Sequence, residues 1–267
     1  MPIVNMKSDH MNEKNKTVPH PLLTEEDYTR YNRQIIFPDF GEEGQKRLKQ
    51  SHVLIAGAGG LGSPNATNLA YAGIGKLTLI DCDIVELSNL NRQTLHWERD
   101  LRERKVVSGA GKLKEMNSKT EIIPLNIRIT EENAEELLAG VDIVMDCMDN
   151  MATRFILNKG CFRKGIPFIH GGVRGLSGQI TTIIPGKTPC LECLYPRGIE
   201  GKKPFPVFGA TPALVASLQT MEAIKFLSGF GKLLTGRMLY VNGETMEFMV
   251  IKTEKKKNCP VCSGGDI

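Results

Sequence analysis

The chain has 267 residues, 41% of them apolar and 24% charged, an ordinary composition for a globular protein that can bury a sizeable core without disulfides or metals. The net charge of +4 is mild and spread out, with no compact basic block, so nucleic acid is not expected as a partner. No apolar stretch reaches the roughly 18 residues that cross a bilayer, and no membrane association is expected.

Residues 1–22 are polar, without the apolar stretch of a secretory signal, and are expected to be a disordered leader. A cytoplasmic location follows as the expectation. Two helices come next, at 25–35 with Thr24 as N-cap and at 41–50. The run His52-Val53-Leu54-Ile55-Ala56 stops at glycines and reads as a buried strand. A helix over 61–71 ends at Gly73, a suitable C-cap, and a strand over 77–80 ends at Asp81. Strand, glycine turn, helix and strand make a βαβ unit, which predicts a parallel sheet. The alternation continues with helices at 101–116, 134–138 and 151–162 and strands at 121–127, 141–145 and 167–170. We therefore expect an α/β fold, a doubly wound Rossmann-like half over about 50–170.

Beyond it the pattern changes. Residues 177–185 alternate like a strand, 212–227 form a long helix with an apolar face, and 238–241 and 247–252 read as an antiparallel pair around an Asn242-Gly243 turn. The expectation is one domain over 23–267 whose C-terminal elaboration, 171–267, carries antiparallel strands.

The sequence Gly57-Ala58-Gly59-Gly60-Leu61-Gly62 matches G-x-G-x-x-G between a strand and a helix. Glycines at Gly59, Gly60 and Gly62 let backbone approach a phosphate closely, and the helix N-terminus after Leu61 offers free N–H groups. Asp81, at the end of the next strand, is placed to accept hydrogen bonds from ribose hydroxyls. This pattern says adenine nucleotide; taken alone it leaves NAD and ATP open, and no P-loop motif is present.

The loop after Asp81 favours a triphosphate. It is polar, carries Asp83 and Asn89, and ends in Arg92-Gln93; a guanidinium grips phosphate oxygens with two donors. Lys105, at a helix start, is a second cation for the same anion. Asp149 and Asn150 follow a strand at the carboxyl edge of the sheet, where open α/β sheets bind ligands. A carboxylate there could hold Mg²⁺ between phosphates, or cap the next helix. Each residue alone has a bland reading; their order along one edge is what carries weight.

Together, R-Y-x-R-Q at 30–34, G-x-G-G-L-G at 57–62, D-x-D at 81–83, S-N-L-x-R-Q at 88–93 and C-x-D-N at 147–150 resemble the MoeB/ThiF/HesA adenylyltransferases, relatives of ubiquitin-activating enzymes. The resemblance covers about 24–263. It implies that Asp81 binds ribose, that Asn89, Arg92, Gln93 and Lys105 contact ATP, that Asp149 serves Mg²⁺, and that Arg33 reaches across a homodimer interface to the partner's phosphates. It implies a substrate as well: a small ubiquitin-like sulfur-carrier protein whose C-terminal Gly-Gly carboxylate attacks the α-phosphate. Arg33, Arg92, Lys105 and Mg²⁺ would neutralise the repulsion between two anions, and neither protein nucleophile nor general base is required.

Seven cysteines include two C-x-x-C pairs, Cys190/Cys193 and Cys259/Cys262. Four thiolates on two short turns suit a tetrahedral structural Zn²⁺, and the resemblance includes such a site. A redox C-x-x-C would leave the second pair unexplained. Cys147 and Cys161 fall in expected core elements and read as packing residues. Several family members carry a cysteine for a covalent carrier link in the loop corresponding to 195–206; here that loop has none. The expected enzyme therefore stops at the acyl-adenylate and depends on a separate sulfur donor. The rivals are an RNA-acting relative resembling threonylcarbamoyladenosine dehydratase, a peptide C-terminus adenylating enzyme, a NAD-dependent oxidoreductase and a non-catalytic binding module.

Overall fold

Thr24 starts the first helix reciprocally: its hydroxyl accepts the Asp27 N–H at 3.2 Å while the Asp27 carboxylate accepts the Thr24 N–H at 2.9 Å. The computed structural model describes residues 22–198 and 205–263. Residues 1–21 of the expected leader, 199–204 of the loop discussed above and 264–267 lie outside the described residues. The helices are α1 (Glu25–Ile35), α2 (Gly41–Gln50), α3 (Gly62–Ala72), α4 (Lys105–Met116), α5 (Ala134–Leu137), α6 (Met151–Lys164), α7 (Leu191–Leu194) and α8 (Ala210–Ser228). The strands are β1 (His52–Ala56), β2 (Lys76–Ile80), β3 (Glu121–Leu125), β4 (Ile143–Asp146), β5 (Phe168–Arg174), β6 (Ser177–Ile183), β7 (Arg237–Asn242) and β8 (Glu247–Lys252).

All eight strands join one sheet in the order β3-β2-β1-β4-β5-β6-β7-β8. The first five are parallel, and β6, β7 and β8 are antiparallel additions. This is the expected mixed architecture. The apolar run of β1 is explained by its place between β2 and β4 with helices on both faces. Val53 and Ile55 point into a core shared with α2, α3, α4 and α8, while Leu54 and Ala56 point into a second core with α5, α6 and α7. The chain winds from β1 out to β2 and β3, then returns to β4 on the other side. That reversal opens a crevice at the carboxyl ends of β1 and β4.

Several boundaries differ from the sequence expectation; the strand expected over 167–170, for one, runs Phe168–Arg174 as β5. The helix expected over 101–116 begins at Lys105, because the residues before it pair with another loop: the Arg102 N–H donates to Val85 O, the Val85 N–H to Glu103 O, and Ile84 bridges to Arg104. The strand expected to 127 ends at Leu125. The last hairpin does not turn on Asn242-Gly243: Asn242 pairs with Glu247, leaving a four-residue loop, 243–246, in which Met246 takes a φ of 59°. Strand β8 closes the sheet with every residue exposed, including Phe248, Met249, Val250 and Ile251.

Candidate nucleotide site and cysteine centre

The glycine loop is closed by sterics. Gly57 holds a φ of 98°, and a Cβ there would lie 2.7 Å from the Cys147 carbonyl oxygen. A Cβ on Gly62 would lie 1.8 Å from the Gly57 carbonyl oxygen. Gly59 and Gly60 are different, half-buried and facing only side chains: Gln93 Nε2 lies 3.5 Å from a Cβ at Gly59, and Pro212 Cβ 3.4 Å and Arg92 Cγ 3.6 Å from one at Gly60. The loop thus packs tightly at its ends and presents backbone in the middle, as a phosphate cradle requires.

Ala58, inside the loop, is held on both sides. Its N–H donates to Asp81 Oδ2 at 2.8 Å, and its carbonyl accepts from His96 Nε2 at 2.9 Å. The His96 Nδ1 is 3.0 Å from the Ser108 hydroxyl, which donates to it once Nε2 carries the proton. Burial, above all, pushes His96 below the usual imidazole range, so it is neutral and this tautomer is kept. The other Asp81 oxygen accepts the Asp83 N–H at 2.8 Å. Asp81 is therefore where the sequence predicted, and it shapes the loop as well. His96 escaped the sequence reading; a lone histidine in a loop carries no signal until its neighbours are known.

Of the remaining candidates, Arg92 and Gln93 border this loop. Gln93 is buried with its Oε1 lacking a hydrogen-bond partner, and its amide faces Gly59. Arg92 donates to Ser88 O and Asn91 Oδ1, both at 2.8 Å. Asn89 is buried and accepts the Glu86 N–H at 3.1 Å. Lys105 opens α4, buried, with its ammonium 3.1 Å from Asp83. Asp83, Asn89, Lys105 and Arg104 line a cavity of about 360 Å³. Asn150 is the N-cap of α6, accepting the Thr153 N–H at 2.9 Å, and its amide lies 3.4 Å from the exposed Asp149. Arg33 is exposed on α1; among the described residues, no hydrogen bond or ion pair joins it to the others.

Behind β4 and β5 stands a buried polar row the sequence did not reveal, formed by Asp146, His170, Tyr195 and Arg154. Its register partners, Asp146 and His170, sit side by side across the two strands.

The four cysteines converge. Cys190 and Cys259 sulfurs are 3.4 Å apart, Cys193 and Cys262 sulfurs 3.2 Å, and all four lie within 4.8 Å of one another, buried. A zinc at 2.3 Å from four sulfurs needs S···S edges of about 3.8 Å. The donor set is compatible with zinc. Burial raises the Cys259 thiol, but the N–H groups of Val261 and Cys262 and the neighbouring thiols outweigh it and bring it down to about 7. Cys259 is therefore easier to ionise than an ordinary thiol, whereas burial and the neighbouring thiols push Cys190 and Cys262 up. Burial likewise pushes Cys147 and Cys161 well above the usual thiol range, in keeping with packing roles.

A glycine loop at the switch point of a parallel sheet, bordered by Arg92 and Gln93, is the arrangement found in nucleotide-binding α/β proteins. A profile of the ThiF family matches residues 31–261, and the chain belongs to that family of ATP-using adenylyltransferases. It is 39% identical over 243 residues to the SAMP-activating enzyme E1 of Haloferax volcanii, covering 89% of this chain and 90% of that protein. It is 41% identical over 257 residues to the adenylyltransferase and sulfurtransferase MOCS3 of Drosophila ananassae, covering 94% of this chain but only 57% of that protein. Among solved structures, E. coli MccB with ATP aligns with a TM-score of 0.73 and 27% identity, over 82% of this chain and 68% of that one. PaaA aligns with a TM-score of 0.75 and 26% identity, over 90% of this chain and 77% of that one. No helix among the described residues is long and apolar enough to cross a membrane.

Proposed function

We propose that the chain uses ATP to adenylate the C-terminal glycine carboxylate of a small ubiquitin-like sulfur-carrier protein, releasing pyrophosphate. The observation that carries this is the open middle of the glycine loop, Gly59 and Gly60, bordered by Arg92 and by the Gln93 amide Nε2, both able to donate to a phosphate. The names of the Haloferax and Drosophila relatives, an activating enzyme and an adenylyltransferase, support the same reaction.

In this reading the nucleotide phosphates lie along the loop backbone and Asp81 takes the ribose. Asn89, Arg92 and Gln93 hold the triphosphate. Lys105 is paired with Asp83 at rest and exchanges that partner for a phosphate. Asp149, with Asn150 beside it, would hold Mg²⁺, which supplies charge neutralisation as pyrophosphate leaves. The incoming carboxylate is itself the nucleophile, so the chain positions and screens charge and moves no proton. A homodimer would bring Arg33 of one subunit to the other's site. A structural zinc at Cys190, Cys193, Cys259 and Cys262 would fasten the C-terminal segment to α7. The loop over 195–206 holds no cysteine, so sulfur would come from a separate donor.

One observation favours a second reading, adenylation of a short peptide: the fold aligns with E. coli MccB in complexes named for ATP and for MccA. ATP–pyrophosphate exchange against a panel of Gly-Gly-ended carrier proteins, a short peptide and tRNA separates these. Exchange driven by the carriers is expected. Exchange driven only by peptide or tRNA, or by nothing, would refute the proposal.

A further inference from the structure

The polar row behind the Asp146–Asn150 turn does no work in adenylation as described, and its chemistry is unusually well defined. Asp146, fully buried at the end of β4, lies 2.6 Å from His170 Nδ1. A carboxylate accepts, so Nδ1 carries the proton and Nε2 is an acceptor. The Tyr195 hydroxyl, 3.1 Å away, donates to it, and the Gln179 amide donates to the Tyr195 oxygen. Burial pushes His170 down, so its ring is neutral. The charged members of the row are Asp146 and Arg154, which face each other, Nε to Oδ1 at 3.5 Å.

Arg154 spends its donors on backbone. It donates through Nε and a terminal nitrogen to the Met148 carbonyl, and to the Gly171 carbonyl at 2.8 Å. The Met148 N–H returns to Asp146 Oδ1 at 3.2 Å. Met148 is thus gripped on both sides, by Asp146 at its N–H and by Arg154 at its carbonyl, and the peptide entering Asp149 has a fixed orientation. A buried ion pair adds little stability over an apolar pair of the same size. What it supplies here is a defined direction for the residue that follows.

We propose that Arg154, braced by Asp146, His170 and Tyr195, is a positioning residue that aims the Asp149 carboxylate at the metal–nucleotide complex. The proposal rests on the nucleotide-activation reading above. Its far end lies two residues beyond Cys193, so the brace runs from the cysteine knuckle to the nucleotide edge.

The test uses the full chain and two variants, Tyr195→Phe, which deletes one hydroxyl, and Arg154→Lys, which keeps the charge and loses the fork. Mg²⁺ is titrated in ATP–pyrophosphate exchange and, separately, in direct ATP binding. Tyr195→Phe should raise the Mg²⁺ half-point about threefold, the scale of one neutral hydrogen bond, and recover at saturating Mg²⁺. Arg154→Lys should raise it about tenfold or more. ATP binding without Mg²⁺ should be unchanged in both. As a control, Arg47→Lys weakens a remote bond to Ser228 O and should shift only the melting temperature. If the two variants melt lower yet keep wild-type Mg²⁺ half-points, the row is core support alone and the proposal fails. Should Arg154→Lys not fold, Tyr195→Phe decides by itself. Should the wild type bind Mg²⁺-ATP but exchange nothing, the activation reading fails and the binding arm still decides this one. A wild type that binds no Mg²⁺-ATP overturns both.

Discussion

Two glycines three residues apart should fail for opposite reasons. In Gly62→Ala the new methyl would stand 1.8 Å from the Gly57 oxygen and 2.8 Å from its carbonyl carbon. Ordinary contact begins at 3.4 Å, so backbone on one side must move by more than 1 Å inside a close-packed turn. Overpacking of that kind costs about 3 kcal/mol. In a domain of this size that is a fall of roughly 6–12 °C in melting temperature. In Gly59→Ala the nearest atom is Gln93 Nε2 at 3.5 Å, an ordinary contact, and Gly59 has no positive φ. Its melting temperature should stay within about 2 °C of wild type, because substitutions away from strain and clash change stability little. The methyl instead occupies the surface a phosphate must approach, so Mg²⁺-ATP affinity should fall about tenfold or more. Thermal melts and equilibrium ATP binding on both variants read the contrast. Wild-type ATP affinity in Gly59→Ala would refute the cradle, and a wild-type melt for Gly62→Ala would refute the packing argument.

Arg92→Ala and Asp149→Ala should each lower pyrophosphate exchange by about a hundredfold or more while far-ultraviolet circular dichroism is retained; wild-type exchange in either would remove that residue from the site. Metal analysis of purified protein should return about one zinc per chain, and Cys259→Ser should lose it and melt roughly 10 °C lower. Stability should also fall on mild acidification. His96 is held below its ordinary value of 6.5, chiefly by burial. The unfolded chain therefore binds the proton first, and the contribution is complete above about 6.5 and is lost as pH drops from there toward the folded value. His52 and His170 are held low by burial as well, so His96→Gln should lessen, without abolishing, the fall of the denaturation midpoint between about pH 7.5 and 5.5; an unchanged slope would show that folding does not depress His96.

Much of this molecule is legible in its sequence because its signals are local. Thr24, Gly73 and the apolar run of β1 announce a cap, a stop and a buried strand through chemistry confined to a few neighbours. The glycine loop and the two cysteine pairs are legible for the same reason. Errors arose where distant pairing decides. Residues 101–104 look helical alone, but the Asp83–Val85 segment claims their backbone. Asn242-Gly243 is a good tight-turn pair, yet the β7–β8 register carries the turn four residues wide. The row of Asp146, Arg154, His170 and Tyr195 is invisible in the sequence because its members are scattered over β4, α6, β5 and the residue that follows α7. Only the β4–β5 register sets Asp146 beside His170.

The two cysteine pairs are also 69 residues apart along the chain. The stretch between them contains α8, β7 and β8. An ion gripped by all four sulfurs converts that stretch into a closed ring. Ring closure of such length withdraws about 4 kcal/mol of freedom from the unfolded chain. Within the ring, α8 carries Gln219, whose amide holds the Asp146 and Ile169 carbonyls at the strand ends. Chelation would therefore loosen more than the tail: it would slacken the helix that keeps β4 and β5 in line beneath the nucleotide edge.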